Sequence, residues 1–172
     1  SALFKSEIDT GSLTLIHADV LTHTWPNNIS KIVANIPYQI SSPLIDKMTK
    51  HVRDINTDNL ECALLLVQEE FAERMVMEYD SDVGSLGMNL LLDWQCELKE
   101  RVAPHNFSPS PKVNSRFVEM IPSDEEFPCD RRLIAMVISK AFNQRRKKLR
   151  TSLKTPPKRL SRISGWHSSR WK

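Results

Sequence analysis

The sequence predicts an α/β fold followed by a basic, helical C-terminal region, and three observations carry that reading. Two continuous apolar runs, Lys31 to Ala34 and Cys62 to Val67, have the length and composition of buried strands, and helical spacing follows each. A carboxamide, a proline and an aromatic, Asn35-Ile36-Pro37-Tyr38, stand at the carboxyl end of the first run, the edge where open α/β sheets hold ligands. Charge is divided unevenly. From Arg131 to the end there are 14 Lys or Arg and no Asp or Glu, so the first 130 residues hold 10 basic and all 21 acidic residues. Such asymmetry between halves points to an appended nucleic-acid-binding element.

Taken in order, residues 1–12 read as helix and turn entering a short apolar strand, Leu13 to His17. Asp19 and Val20 follow it. Thr22 to Ser30 is a polar loop, with Trp25-Pro26-Asn27-Asn28 as its turn signal. After the strand Lys31 to Ala34 comes a helix from about Ser42 to Val52, started by Pro43 in its first turn and carrying Leu44, Ile45 and Met48 on one face. The strand Cys62 to Val67 leads into a helix over Gln68 to Tyr79, with Phe71, Met75 and Tyr79 inward. Its Glu69, Glu70 and Glu73 read as a solvated face. Ser85 to Leu92 is helical and Trp94 to Val102 is a strand of mixed polarity. Pro104 to Val113 holds three prolines and reads as a stiff loop, since proline removes donors and fixes φ. Ser115 to Ile121 closes the sheet.

Pro122 to Asp130 is an acidic linker that ends in a helix N-cap, Asp130. Beyond it Ile134, Val137, Ile138, Ala141, Phe142, Leu149 and Leu153 recur at helical spacing, which predicts a helix from Arg131 to about Leu153. Arg145, Arg146, Lys147, Lys148 and Arg150 surround that stripe and suit the RNA backbone, because each neutralised phosphate releases counterions. Thr155-Pro156-Pro157 stops the helix, and Ser161 to Lys172 shows little periodicity, which predicts partial disorder there. The resulting division is 1–122 and 123–172.

Composition narrows the classes. Cys62, Cys96 and Cys129 have no paired spacing, so neither a disulfide framework nor a zinc site is predicted, and a reducing, cytoplasmic setting fits. No two of the five histidines sit at metal-ligand spacing on one helix. No apolar run reaches membrane-spanning length, and the start has no signal-peptide pattern.

The chemistry follows from residue type. An exocyclic amine on a nucleobase is a poor nucleophile, because its lone pair is delocalised into the ring. Two acceptors aimed at its hydrogens, the Asn35 side-chain oxygen and the Ile36 carbonyl, favour a pyramidal amine with an available lone pair. Pro37 fixes the carbonyl's direction. Tyr38 offers a face on which a flipped base stacks. A plain strand and proline turn would place the same residues with Tyr38 merely packing.

Asn35 to Pro43, NIPYQISSP, resembles the target-amine motif of the ribosomal RNA adenine dimethyltransferases. Three further stretches match in order: FAERMV at 71–76, FSPSPKVNS at 107–115 and AFNQRRKKLR at 141–150. The resemblance spans about Asp19 to Leu153, and its wording is similar to archaeal members. It implies the C-terminal part of a Rossmann-like class I methyltransferase sheet, followed by a small truncated basic helical domain. It implies S-adenosyl-L-methionine as cofactor, with Asp19 accepting from the cofactor's adenine amine beside Val20 and with Asn35 at the methyl end. Read alone, Asp19 caps a loop. The resemblance sets Phe107 on the opposite face of the flipped base from Tyr38, and Lys112 against phosphate.

The implied reaction is transfer of methyl groups to the exocyclic amine of two adjacent adenosines near the 3′ end of small-subunit rRNA, within an assembling subunit. The implied enzyme is a cytoplasmic monomer that needs neither metal nor membrane. Asn35, where many amine methyltransferases have Asp, fits repeated transfer. Two rivals remain: the sister group that methylates large-subunit RNA and confers macrolide resistance, and a non-catalytic rRNA-binding assembly factor. The family's glycine-rich cofactor turn is missing, since Gly11, Gly84, Gly87 and Gly165 do not follow a buried strand. The resemblance therefore implies a fragment that begins partway through the catalytic domain and ends before its last helices, with weak cofactor binding and no turnover of its own.

Overall fold

In the computed structural model residues 2–55, 59–125, 127 and 129–157 are described. Four strands, β1 (Lys31–Asn35), β2 (Cys62–Gln68), β3 (Trp94–Val102) and β4 (Ser115–Pro122), form one mixed sheet in the order β1-β2-β4-β3. β1 runs parallel to β2, a pairing that needs a crossover connection, here supplied by the helix between them. β4 is antiparallel to both β2 and β3. One sheet edge therefore collects the end of β1, the end of β2, the end of β3 and the start of β4. Gln68 and Val102 both stand opposite Ser115 there.

The helices are α1 (Lys5–Asp9), α2 (Ser41–Ile55), α3 (Glu69–Val76), α4 (Ser85–Leu90), α5 (Arg131–Phe142) and α6 (Leu149–Ser152). α2 lays Leu44, Ile45 and Met48 onto the sheet, where Ala63, Leu65 and Val67 of β2 meet Val118 and Met120 of β4. The alternation of β2 selects that face. Trp94 is buried in the same core and donates from Nε1 to Thr49 Oγ1 of α2 at 2.9 Å, so its polar tip is satisfied. α3 stops at Met77, which takes a left-handed conformation (φ 56°). α4 then returns close against α3: a Cβ at Gly87 would meet the Met77 side chain and lie 3.0 Å from the Arg74 carbonyl oxygen. Tyr79, expected inward, is exposed.

Two expected elements differ. Leu13 to His17 is not a strand, and Leu13, Leu15 and Ile16 are exposed. An apolar run becomes a strand only when a neighbour supplies a ladder, and among the described residues β1 pairs with β2 alone. The long basic helix is broken as well. α5 ends at Phe142, Asn143 to Lys148 form turns, and α6 is a single turn from Leu149. Four consecutive cations, Arg145 to Lys148, repel one another along a helix with no acid to relieve them. The expected N-cap does form, with Asp130 Oδ1 accepting from the Arg132 amide at 2.8 Å. The segment from Ser161 to Lys172 lies outside the described residues.

Candidate active site

Parallel pairing aligns Asn35 with Leu66, and the Ile36 amide donates to the Leu66 carbonyl at 3.2 Å. This last rung holds the buried Ile36 at the sheet edge while Asn35 stays exposed. The chain then turns through Pro37, whose carbonyl accepts from the Ile40 amide at 3.0 Å, and enters α2. Among the described residues, the Asn35 carboxamide and the Ile36 carbonyl accept no hydrogen bond. Two acceptors thus remain open at the end of a rigid strand.

The opposite wall is the loop between β3 and β4. It is tied to itself: the Phe107 amide and Ser110 Oγ both donate to the Pro104 carbonyl, at 3.1 and 2.8 Å. Together the two loops enclose a cleft of about 300 Å³ lined by Asn35, Ile36, Pro37, Tyr38, Phe107 and the loop prolines Pro109 and Pro111. The structure therefore brings Asn35–Tyr38 and Phe107 together across 70 residues of sequence. Tyr38 and Phe107 are thus two aromatic side chains lining the same cleft as Asn35 and Ile36.

Two contacts that the sequence reading missed hold this arrangement. Tyr38 Oη and Ser115 Oγ are 2.8 Å apart, and Ser115 is buried at the junction of β2, β3 and β4. Glu69, read as solvated, instead accepts from Arg101 at 2.8 and 2.9 Å and from Asn114 Nδ2 at 3.1 Å. Its amide donates to the Asn114 carbonyl at 3.0 Å. The start of α3, the end of β3 and the end of the loop before β4 are thereby fastened together at one carboxylate.

Asp19 and Val20 do not line the cleft and are exposed. Asp19 Oδ1 accepts from the Leu21 amide at 2.8 Å, an Asx turn, which is the loop-capping arrangement. The Val20 carbonyl accepts from Lys47 Nζ of α2 at 2.8 Å, and that ammonium also donates to the Leu21 and His23 carbonyls. Trp25 lies under Lys47 with its centroid 5.0 Å away. No motif marks Lys47, yet it pins the whole 20–23 turn to α2. Asp19 Oδ2 accepts no hydrogen bond among the described residues, so this acceptor would suit an amine of a bound cofactor. The residues present offer no acidic partner for the ribose.

Lys112 is exposed on the loop. Arg146, Lys147, Lys148 and Arg150 are exposed and unpaired among the described residues. Arg145 differs, since its Nη2 donates to the carbonyls of Ser81 at 2.6 Å and Val83 at 2.8 Å. That guanidinium ties the basic turn to the loop before α4. Among the described residues no group of three His, Cys, Asp or Glu could hold a metal, and no helix is long and apolar enough to cross a membrane.

A protein of Rhodopseudomonas palustris (strain BisA53) called ribosomal RNA small subunit methyltransferase A is 38% identical over 93% of this chain and 58% of its own length. The protein of that name from Synechocystis is 32% identical over 84% of this chain and 52% of its own. The chain thus spans about half to three-fifths of the length of these relatives. A crystal structure of a dimethyladenosine transferase from Plasmodium falciparum superposes with a TM-score of 0.75 at 32% identity, over 87% of this chain and 54% of that one. The 23S rRNA methyltransferase ErmE shares the fold, with a TM-score of 0.68 at 23% identity over 92% of this chain and 64% of that one. The family model for ribosomal RNA adenine dimethylase matches residues 2–164, and the chain belongs to that family.

Proposed function

We propose that this chain carries the target-adenosine site and an RNA-binding segment of an enzyme that dimethylates the exocyclic amine of two adjacent adenosines near the 3′ end of small-subunit rRNA. The observation that carries the reading is the one cleft lined by Asn35 and Ile36, whose acceptors are open, together with Tyr38 and Phe107. Bound S-adenosylmethionine supplies an electrophilic methyl group. The residues of the chain do the rest. Tyr38 and Phe107 sandwich the extruded base, which repays its unstacking. Asn35 Oδ1 and the Ile36 carbonyl accept from the amine and turn its lone pair outward. Placement rather than acid–base chemistry supplies most of the rate. Exposed Lys112, Arg146, Lys147, Lys148 and Arg150 meet the RNA backbone, while Arg145 sets their position from its seat on the 81–83 carbonyls. The sequence division at residue 122 fits this assignment, since β4 ends there.

The test joins this chain to the remaining N-terminal part of a relative and follows dimethyladenosine in small-subunit rRNA by mass spectrometry. Asn35→Ala is expected to lower kcat by about 100-fold or more, in the range for removing one preorganised electrostatic partner. Undiminished dimethyladenosine would refute the role of Asn35. The unjoined chain is expected to bind S-adenosylmethionine only weakly by calorimetry.

A further inference from the structure

The second basic feature of this protein lies away from the target cleft. α5 is fastened at its first turn, where Arg131 reaches Asp93 Oδ1 at 3.1 Å alongside Arg53 of α2. Between α2, α3, α4 and α5 there remains a cleft of about 700 Å³. Its walls bear Lys50, Arg53, Arg74 and Arg132 against one carboxylate, Asp46. Arg53 is committed to Asp93. Among the described residues, Lys50, Arg74 and Arg132 have no carboxylate within ion-pair distance. Arg74 instead lies over the Phe71 ring, 6.0 Å from its centroid. Cations spread over a convex surface are each solvated independently. Lys50, Arg74 and Arg132 against Asp46 leave an excess of two positive charges lining one concavity, which raises the local potential and draws in an anion.

We propose that this cleft binds a nucleoside phosphate, supplied by an RNA strand, with Lys50 and Arg132 on the phosphate oxygens and the Phe71–Arg74 wall against a base. Its volume is in the range of sites that hold a small organic ligand. A cation-backed aromatic beside a basic groove is what a single strand requires, because every base has a face to stack. Ser42 lines one end of the cleft, four residues past Tyr38. Lys50 lies two turns further along α2, about 12 Å on. A strand leaving the target pocket therefore meets the cleft as it passes along α2. The choice of RNA as the polyanion rests on the proposed function; the anion site itself does not.

The experiment uses the 172-residue chain, a fluorescein-labelled oligouridine and uridine monophosphate. Anisotropy is followed across a salt series, and acetylation of individual lysines is read by mass spectrometry. The Lys50→Gln/Arg132→Gln double variant is expected to weaken oligouridine binding about tenfold. It should also shrink the slope of log K against log salt by about 1.4, two single-strand phosphate contacts. Both positions are exposed, and circular dichroism checks that the variant is folded. In the unsubstituted chain the oligomer should shield Lys50 from acetylation several-fold and leave Lys5 unshielded. Shielding by the oligomer alone assigns the cleft to an RNA strand, whereas equal shielding by the monophosphate assigns it to a free nucleotide. An unchanged salt slope with Lys50 unshielded overturns the proposal. Neither readout involves methyl transfer, so a failure of the Asn35 experiment and a failure here are separate results.

Discussion

Glu73 shows how a single carboxyl on a crowded helix reports its surroundings. It sits half-buried on α3, and burial pushes its pKa above the ordinary 4.5; the carboxylates of Glu69, Asp82 and Glu78 push the same way, with Arg116 opposing them. The folded state therefore holds this proton more tightly than the unfolded chain does. That penalty on folding is absent in acid and grows as pH rises through 4.5 to the folded pKa. Glu73→Gln is accordingly expected to stabilise the protein at pH 7, by less than about 1 kcal/mol because the group is partly solvated. The gain should vanish near pH 4. Urea midpoints at the two pH values check this, and an equal gain at both would refute it. Its neighbour Glu69 resists sequence reading for a different reason. Its partners lie 32 and 45 residues away, on elements whose meeting depends on strand order. Asn35 to Tyr38 stood out by residue type at the end of a strand, whereas Phe107 was named through the family resemblance; the fold brings both to one cleft.

At the scale of elements, all four strands of the sheet were legible, the mixed-polarity β3 and β4 as well as the apolar runs of β1 and β2, although β1, read as buried, alternates between exposed and half-buried. Leu13 to His17 carried the same local signal and failed, because a ladder is a property of two segments. The basic stretch failed in the other direction: apolar spacing suggested one helix, while repulsion among Arg145 to Lys148 broke it into turns. Beyond its internal bonds at Pro104, the loop between β3 and β4 is anchored at its far end by Glu69, through Asn114. Glu69→Gln keeps the shape and removes the charge that Arg101 and Asn114 share. Hydrogen exchange in segment 107–114 should accelerate roughly tenfold, the equivalent of about 1.4 kcal/mol of local opening. Glu70→Gln on the same helix should leave it unchanged. Equal effects from the two substitutions would remove Glu69 from its role as anchor.

At the scale of the molecule, the C-terminal helices and the sheet are coupled through Asp93. Its side chain is 1% exposed and accepts from Arg53 and Arg131, each roughly one-third exposed. Asp93→Asn leaves two guanidinium groups without their shared anion at a semi-buried junction. A loss of about 2–3 kcal/mol is expected, below the range for a fully buried pair because both arginines keep some solvent. Tryptophan fluorescence through a urea titration would follow the loss, since buried Trp94 is the next residue. A change below about 0.5 kcal/mol would mean that α5 is held by its apolar contacts alone. This coupling was invisible in the sequence, where the two arginines lie 40 and 38 residues from Asp93.

The order β1-β2-β4-β3 leaves one long side of β1 unladdered among the described residues, and Val33 in its middle is 76% exposed. Every second amide and carbonyl along that side points outward with no partner in the sheet, and the Lys31–Glu61 ion pair guards only its beginning. Such a rim is a template: any extended segment of matching apolar pattern, from this chain or another molecule, can add to it as a fifth strand. The practical consequence is colloidal. A cation or proline introduced at position 33 is therefore expected to lower self-association, which sedimentation of the two forms at one concentration would check.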